Sequence, residues 1–134
     1  IWPYDISQFS TNPTYAAVQA AHQHRATRYY RCPTLHSIKN SLAHGFTAVG
    51  GFSVPTNMLS PECAQTGVVK MPGAGDRIEG GHAVHFVGYD DATALLCFQN
   101  SWGPGWGRQG FGFLPYGFVD EKLADDFWSI RRET

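Results

Sequence analysis

Apolar positions follow a helical repeat in one part of the chain and a two-residue repeat in another. Leu35, Ile38 and Leu42 fall at i, i+3 and i+7, which share one face of a helix. Thr34 is placed to cap that helix and Gly45 to end it. Residues 46–54 then predict a buried strand and 68–71 a short one. Residues 55–67 predict a loop holding Cys63, and 72–81 a loop with four glycines. From His82 the repeat shortens. Residues 82–89 predict a strand, 90–93 a turn, and 95–99 the hairpin partner. In that strand His82, Val84 and Phe86 share one face, while Ala83, His85 and Val87 share the other. A glycine-rich turn around Trp106 spans 103–110. A strand over 111–114, one helical turn over 123–127 and a last strand over 128–131 complete the pattern.

The first third is less regular. Residues 1–10 are aromatic without a clear period. Asn12 is placed as N-cap, with Pro13 at the first helical position before an Ala-rich helix over 14–21. Residues 28–32 alternate enough for a short strand. Helices first and short antiparallel strands afterwards predict an α+β fold with a small twisted sheet or open barrel.

A chain of 134 residues and 14.8 kDa is the size of one domain. Ten basic and 11 acidic residues leave a net charge of −1, without the basic stripe of a nucleic-acid binder. Hydrophobic residues make up 43% and charged residues 16%, which excludes a disordered chain. Sparse charge also suggests that part of the surface faces protein. No stretch reads as a membrane span. Ile1-Trp2-Pro3-Tyr4-Asp5 lacks the charged and apolar regions of a signal peptide and reads as a start in mid-protein. Cys32, Cys63 and Cys97 are too few and too scattered for a disulfide framework, although one bridge stays open.

Eleven of the 15 glycines fall between Gly73 and Gly117, and seven aromatics between Phe98 and Phe118. Hairpin turns in a small sheet would account for this density. The sequence Gly80-Gly81-His82-Ala83-Val84 adds chemistry, because it sets a histidine at the exposed start of an apolar strand. A hairpin turning near 91–93 brings His82 beside Asn100. The Asn100 amide can then hold the imidazole in one tautomer, as the third member of a nucleophile–His–orienter triad does. Trp102 or Trp106 can shield that bond from water.

Gly81-His82-Ala83-Val84 with Val87-Gly88-Tyr89, then Asn100-Ser101-Trp102-Gly103 and Trp106-Gly107, resembles the papain-like cysteine peptidases. The two blocks stand in family order at a family-like spacing. Leu114-Pro115-Tyr116 and residues 123–128 look more like bacterial, archaeal or viral members than plant papain. Trp2-Pro3-Tyr4 is similar to the crossover that follows the family's first lobe. The resemblance implies a second, His/Asn-bearing lobe, with 1–33 as crossover and peripheral elements and 34–134 as the lobe core. It makes His82 the general base and later acid, Asn100 the orienter, and Trp102 the lid over their hydrogen bond. It sets Gly80, Gly81 and Ala83 beside the substrate cleft. It implies thiolate attack on a peptide carbonyl through an acyl-enzyme, with no cofactor.

The family's Gly-x-Cys-Trp nucleophile motif and its upstream oxyanion Gln do not occur in this sequence. Cys97 reads as a small core residue inside a strand, Cys63 as a loop cysteine, and Cys32 as a boundary residue before Pro33. None has the electropositive, partly exposed setting of a nucleophile. The expected partners are therefore a first lobe of the same peptidase, as a separate chain or missing segment, and a peptide substrate, but no nucleic acid or membrane. This chain alone is expected to be inactive. Three other readings compete. An inactive papain-like module used for binding is kept open by the missing nucleophile. A Cys–His transferase on the same scaffold is disfavoured by the Asn and the Ser-Trp-Gly after it. A metal module from His22 and His24, or His82 and His85, lacks a convergent Cys or carboxylate pair. His22 and His24 fit a solvated helix or loop, and His36 and His44 a polar helix face.

Overall fold

A computed structural model describes residues 2, 3 and 5–131; Tyr4 of the expected crossover motif falls outside them. Helix α1 (Tyr15–Ala21) begins after Thr14, whose hydroxyl accepts the Ala17 N–H. The cap is thus Thr14, and not the expected Asn12, because a bare hydroxyl two residues nearer reaches the free amides. Neither α1 nor the short 3-10 turns on either side of it bury a residue. Strand β1 (Arg28–Arg31) leads into helix α2 (Leu35–Ala43). Thr34 and Ser37 form a reciprocal capping box there, and Gly45 follows at φ +79°. These match the predicted start and stop.

Strand β2 (Ala48–Pro55) starts two residues later than predicted, and Phe46 is exposed. The expected loop over 55–67 instead contains a 3-10 turn (Thr56–Leu59) and helix α3 (Pro61–Thr66). Ser60 caps α3 by accepting the Cys63 N–H, and Pro61 fits the first helical position. Residues 68–71 form no strand; Val68 makes one isolated bridge with Phe113. Strand β3 (Ile78–Asp90) absorbs Gly80 and Gly81, expected in a loop, because they pair with Val54 and Ser53. Strand β4 (Leu95–Gln99) has its predicted limits, and β5 (Phe111–Pro115) is one residue longer than expected. The helical turn lies earlier than expected, as α4 (Gly117–Asp120). Residues 124–127 belong to strand β6 (Ala124–Arg131), where pairing with β2 and β1 outweighs local helical spacing.

The strands form one open antiparallel sheet in the order β1-β6-β2-β3-β4-β5. Alternate residues Phe52, Val84, Phe86, Leu96, Phe98, Leu114 and Phe127 face one side. They form a single core with Ile38, Met58, Cys63 and Phe118. Burying each such side chain contributes roughly 1.5–3 kcal/mol. Two glycines are required by this packing. A Cβ at Gly112 would lie 2.2 Å from Phe98 Cζ, and one at Gly50 would lie 2.5 Å from Phe127 Cδ1. Lys39 of α2 pairs with Asp91 in the β3–β4 turn, which also accepts the Tyr116 hydroxyl at 2.9 Å. Lys39 Nζ sits over the Tyr89 and Tyr116 rings as well. This ties the turn of the hairpin to the helix beneath it.

Candidate active site

The β3–β4 hairpin sets the geometry. His85 pairs with Gln99. Continuing that register brings Val84 opposite Asn100, and His82 opposite Trp102. His82 and Asn100 are therefore diagonal neighbours on one face, within side-chain reach. The ladder ends at Gln99, and the Asn100 N–H donates instead to Gly110 O at 2.8 Å, closing the 100–110 turn. His82 does not stand at a strand start as expected. It lies within β3 and pairs with Phe52, which anchors its backbone against β2.

His82 Nε2 is 2.9 Å from Asn100 Oδ1. The Ser101 N–H donates to the same oxygen at 2.8 Å. The Ser101 N–H can only donate, so the atom that meets it is the amide oxygen; a flipped amide would set NH₂ against that N–H. It follows that Nε2 carries the hydrogen in the neutral imidazole, leaving Nδ1 with a free lone pair. Asn100 is buried, and its Nδ2 has no partner among the described residues. An unmet buried donor costs about 1–3 kcal/mol.

Trp102 stacks on the imidazole with centroids 5.1 Å apart and an interplanar angle of 24°. It is still 43% exposed, so its outer side meets solvent. Trp106 is buried and packs edge-on against Trp102 at 5.3 Å, bracing the ring that touches His82. Phe52 closes the other side, edge-on at 5.8 Å. Phe52 and the Ser101 amide escaped the sequence reading. The first needs the β2–β3 register and the second is a backbone group, so neither leaves a motif. Gly80, Gly81 and Ala83 are exposed, and a Cβ on either glycine would meet nothing within 4 Å. On the outer face, Val49, Ala83, His85 and Gln99 border a depression of about 380 Å³.

The three cysteines are free thiols. Cys32 is buried, its N–H bonded to Phe127 O at 2.8 Å. Cys63 is buried in α3 and not in a loop. Desolvation, with Glu62 beside it, pushes its thiol up to about 11. Cys97 is half-buried on the outer side of β4, outside the core where it was expected. Burial raises its thiol as well, partly opposed by Arg108. None is hydrogen-bonded to His82. His22, His24, His36 and His44 are exposed. Among the described residues no group of three or more His, Cys, Asp or Glu could hold a metal ion, and no helix is long and apolar enough to cross a membrane.

Comparison with known proteins bears on this geometry. An uncharacterized peptidase C1-like protein of Acanthamoeba polyphaga mimivirus is 35% identical over 143 residues, covering 99% of this chain and 46% of that protein. A cathepsin B-like protein of Giardia intestinalis is 51% identical over 55 residues, 39% of this chain and 18% of its own length. Among solved structures, xylellain, a cysteine protease from Xylella fastidiosa, superposes with a TM-score of 0.83 at 34% identity. That match covers 93% of this chain and 47% of xylellain. The chain thus spans about half the length of its full-coverage relatives. The sequence model of the papain family cysteine proteases matches residues 3–120. With that match, and the viral and bacterial likeness expected from the motifs, the chain belongs to the papain family of cysteine proteases.

Proposed function

We propose that this chain is the His/Asn-bearing lobe of a cysteine endopeptidase, working with a first lobe that carries the Cys and the oxyanion Gln. The bond between His82 Nε2 and Asn100 Oδ1, with its fixed tautomer, is the observation that carries this reading. It leaves Nδ1 free to take a thiol proton. In the proposed reaction the resulting thiolate attacks the peptide carbonyl carbon. The imidazolium then protonates the departing amine, and the acyl-enzyme remains. Neutral His82 next takes a proton from water, whose oxygen attacks the acyl carbon. The acid leaves, and the thiolate recovers a proton from His82. Asn100 stabilises the imidazolium through its oxygen, and Trp102 limits water at that bond. The open edge at Gly80, Gly81 and Ala83 lets a peptide backbone approach beside His82.

By itself the chain should not hydrolyse peptides, since its three thiols are buried or far from the imidazole. Cys97 faces Gly88, six residues along β3 from His82, or about 20 Å. The test is peptide hydrolysis by the two lobes together. His82→Ala should abolish turnover, and Asn100→Ala should lower it less, because Asn100 orients and does not transfer the proton. Near-wild-type turnover in His82→Ala would overturn the assignment. No turnover in the two-lobed protein with its Cys intact would favour a binding module.

A further inference from the structure

The outer face of β3, β4 and β5 contains a cavity of about 320 Å³. That is the low end of the roughly 300–1,000 Å³ of ligand pockets. It lies across the sheet from the core and about 20 Å along β3 from His82. Gly88, Cys97 and Phe113 stand side by side across three strands and form its floor. Val68 closes one wall through its bridge to Phe113.

Two features of the lining point to a ligand. The first is Gly88. A Cβ there would lie 3.8 Å from Cys97 Cβ, an ordinary contact, and the residue is not in the left-handed region. Gly88 stands at the register shift that follows Phe86, and since packing leaves room for a Cβ there, its lack of one keeps the floor open. The second is Arg108. Its guanidinium carbon lies 5.0 Å from the Phe113 ring centroid, and no carboxylate among the described residues pairs with it. Asp90 also lines the cavity, but its charge is engaged in its own turn. It accepts the Ala92 N–H at 2.9 Å and the Thr93 hydroxyl at 2.8 Å. A cation stacked on an aromatic ring above an apolar floor matches an anionic head on an apolar body.

We propose that this cavity is a second binding site, for a small carboxylate with an apolar body, whose head pairs with Arg108 and whose body lies over Gly88 and Phe113. The site needs nothing from the His82–Asn100 pair, so it stands or falls independently of the proteolytic reading.

The test titrates N-acetyl-leucine, octanoate and the neutral N-acetyl-leucinamide into this chain and follows its backbone amide resonances. A carboxylate should shift the Gly88, Cys97 and Arg108 amides with a Kd of about 1 mM, and the neutral amide should bind about tenfold more weakly. Tighter binding of N-acetyl-leucine would assign a peptide-derived ligand, and tighter binding of octanoate a fatty acid. Arg108→Gln should weaken carboxylate binding about tenfold, and Gly88→Val should fill the floor and do the same. A measurement on the unsubstituted chain guards against misfolded variants: bound carboxylate should slow alkylation of Cys97 by iodoacetamide. Equal binding of carboxylate and amide, shifts at other residues only, or unprotected Cys97 at saturation would each overturn the proposal.

Discussion

Replacing Asn100 by Ala separates stability from orientation at this site. The substitution removes one acceptor that holds two donors, His82 Nε2–H and Ser101 N–H. Each bond contributes about 0.5–1.5 kcal/mol, so the loss is about 2 kcal/mol. The same change removes the unpartnered Nδ2, whose burial costs about 1–3 kcal/mol. Ser101 is exposed, so water can satisfy its freed amide. The two effects nearly cancel, and the urea midpoint should move little. The imidazole should respond differently. With the oxygen gone, nothing holds the hydrogen on Nε2. Nitrogen-15 shifts of the His82 ring, recorded where it is neutral, should show the Nε2–H tautomer in the parent chain and a mixture in Asn100→Ala. If the parent carried its hydrogen on Nδ1, or the variant kept an unchanged tautomer, the network would not act as described. A large fall in the urea midpoint would show that the unmet amide donor is not the cost assigned to it.

Two further outcomes follow from the core. Gly112→Ala sets a methyl 2.2 Å from Phe98 Cζ. It should destabilise the fold by about 1–3 kcal/mol, read as a lower urea midpoint, and an unchanged midpoint would refute the close approach. Alkaline pH should act through Cys63, whose thiol is raised from an ordinary 9.0 to about 11. A raised folded value favours the folded state fully below about pH 9, and this contribution is lost as pH rises from 9 through 11. The loss is about 2–3 kcal/mol at roughly 1.4 kcal/mol per pH unit. Cys97, also raised, adds in the same direction. Cys63→Ala should flatten the slope of stability between pH 9 and 11, and an unaltered slope would remove Cys63 as its source.

What the sequence disclosed was what local spacing controls. The hairpin from His82 to Asn100 was readable because a short turn at 90–94 joins its strands, but the one-residue register shift between Phe86 and Gly88, which sets His85 opposite Gln99 and so brings the imidazole to the amide, left no signal. Helix α2 was readable because its cap, apolar face and terminal glycine agree. The long-range pairings were not readable. Gly80 and Gly81 look like loop residues until Val54 and Ser53 lie beside them. Residues 124–127 carry helical spacing, yet β2 pairs with them across more than 70 positions of chain. Helix α3 did leave a signal, Ser60 followed by Pro61. It was obscured because a six-residue helix shows too little of an apolar face. At the site, spacing alone left Trp102 and Trp106 both open and the resemblance favoured Trp102; in the structure Trp102 touches the imidazole and the buried Trp106 braces it.

The closure of the 100–110 turn by the Asn100–Gly110 bond has a dynamic consequence. His82 is fastened to the β2 ladder, whereas Asn100 and Trp102 both ride on this one clipped segment. An opening of the clip detaches the Asn100 oxygen and the stacking ring together and leaves the imidazole where it was. The site therefore has a cooperative unit smaller than the lobe, with an opening free energy of its own. Hydrogen exchange at the Asn100 and Gly110 amides reports that unit, while the Val84 and Phe86 amides report the sheet. The gap between the two sets the share of time for which the imidazole is held by the amide oxygen.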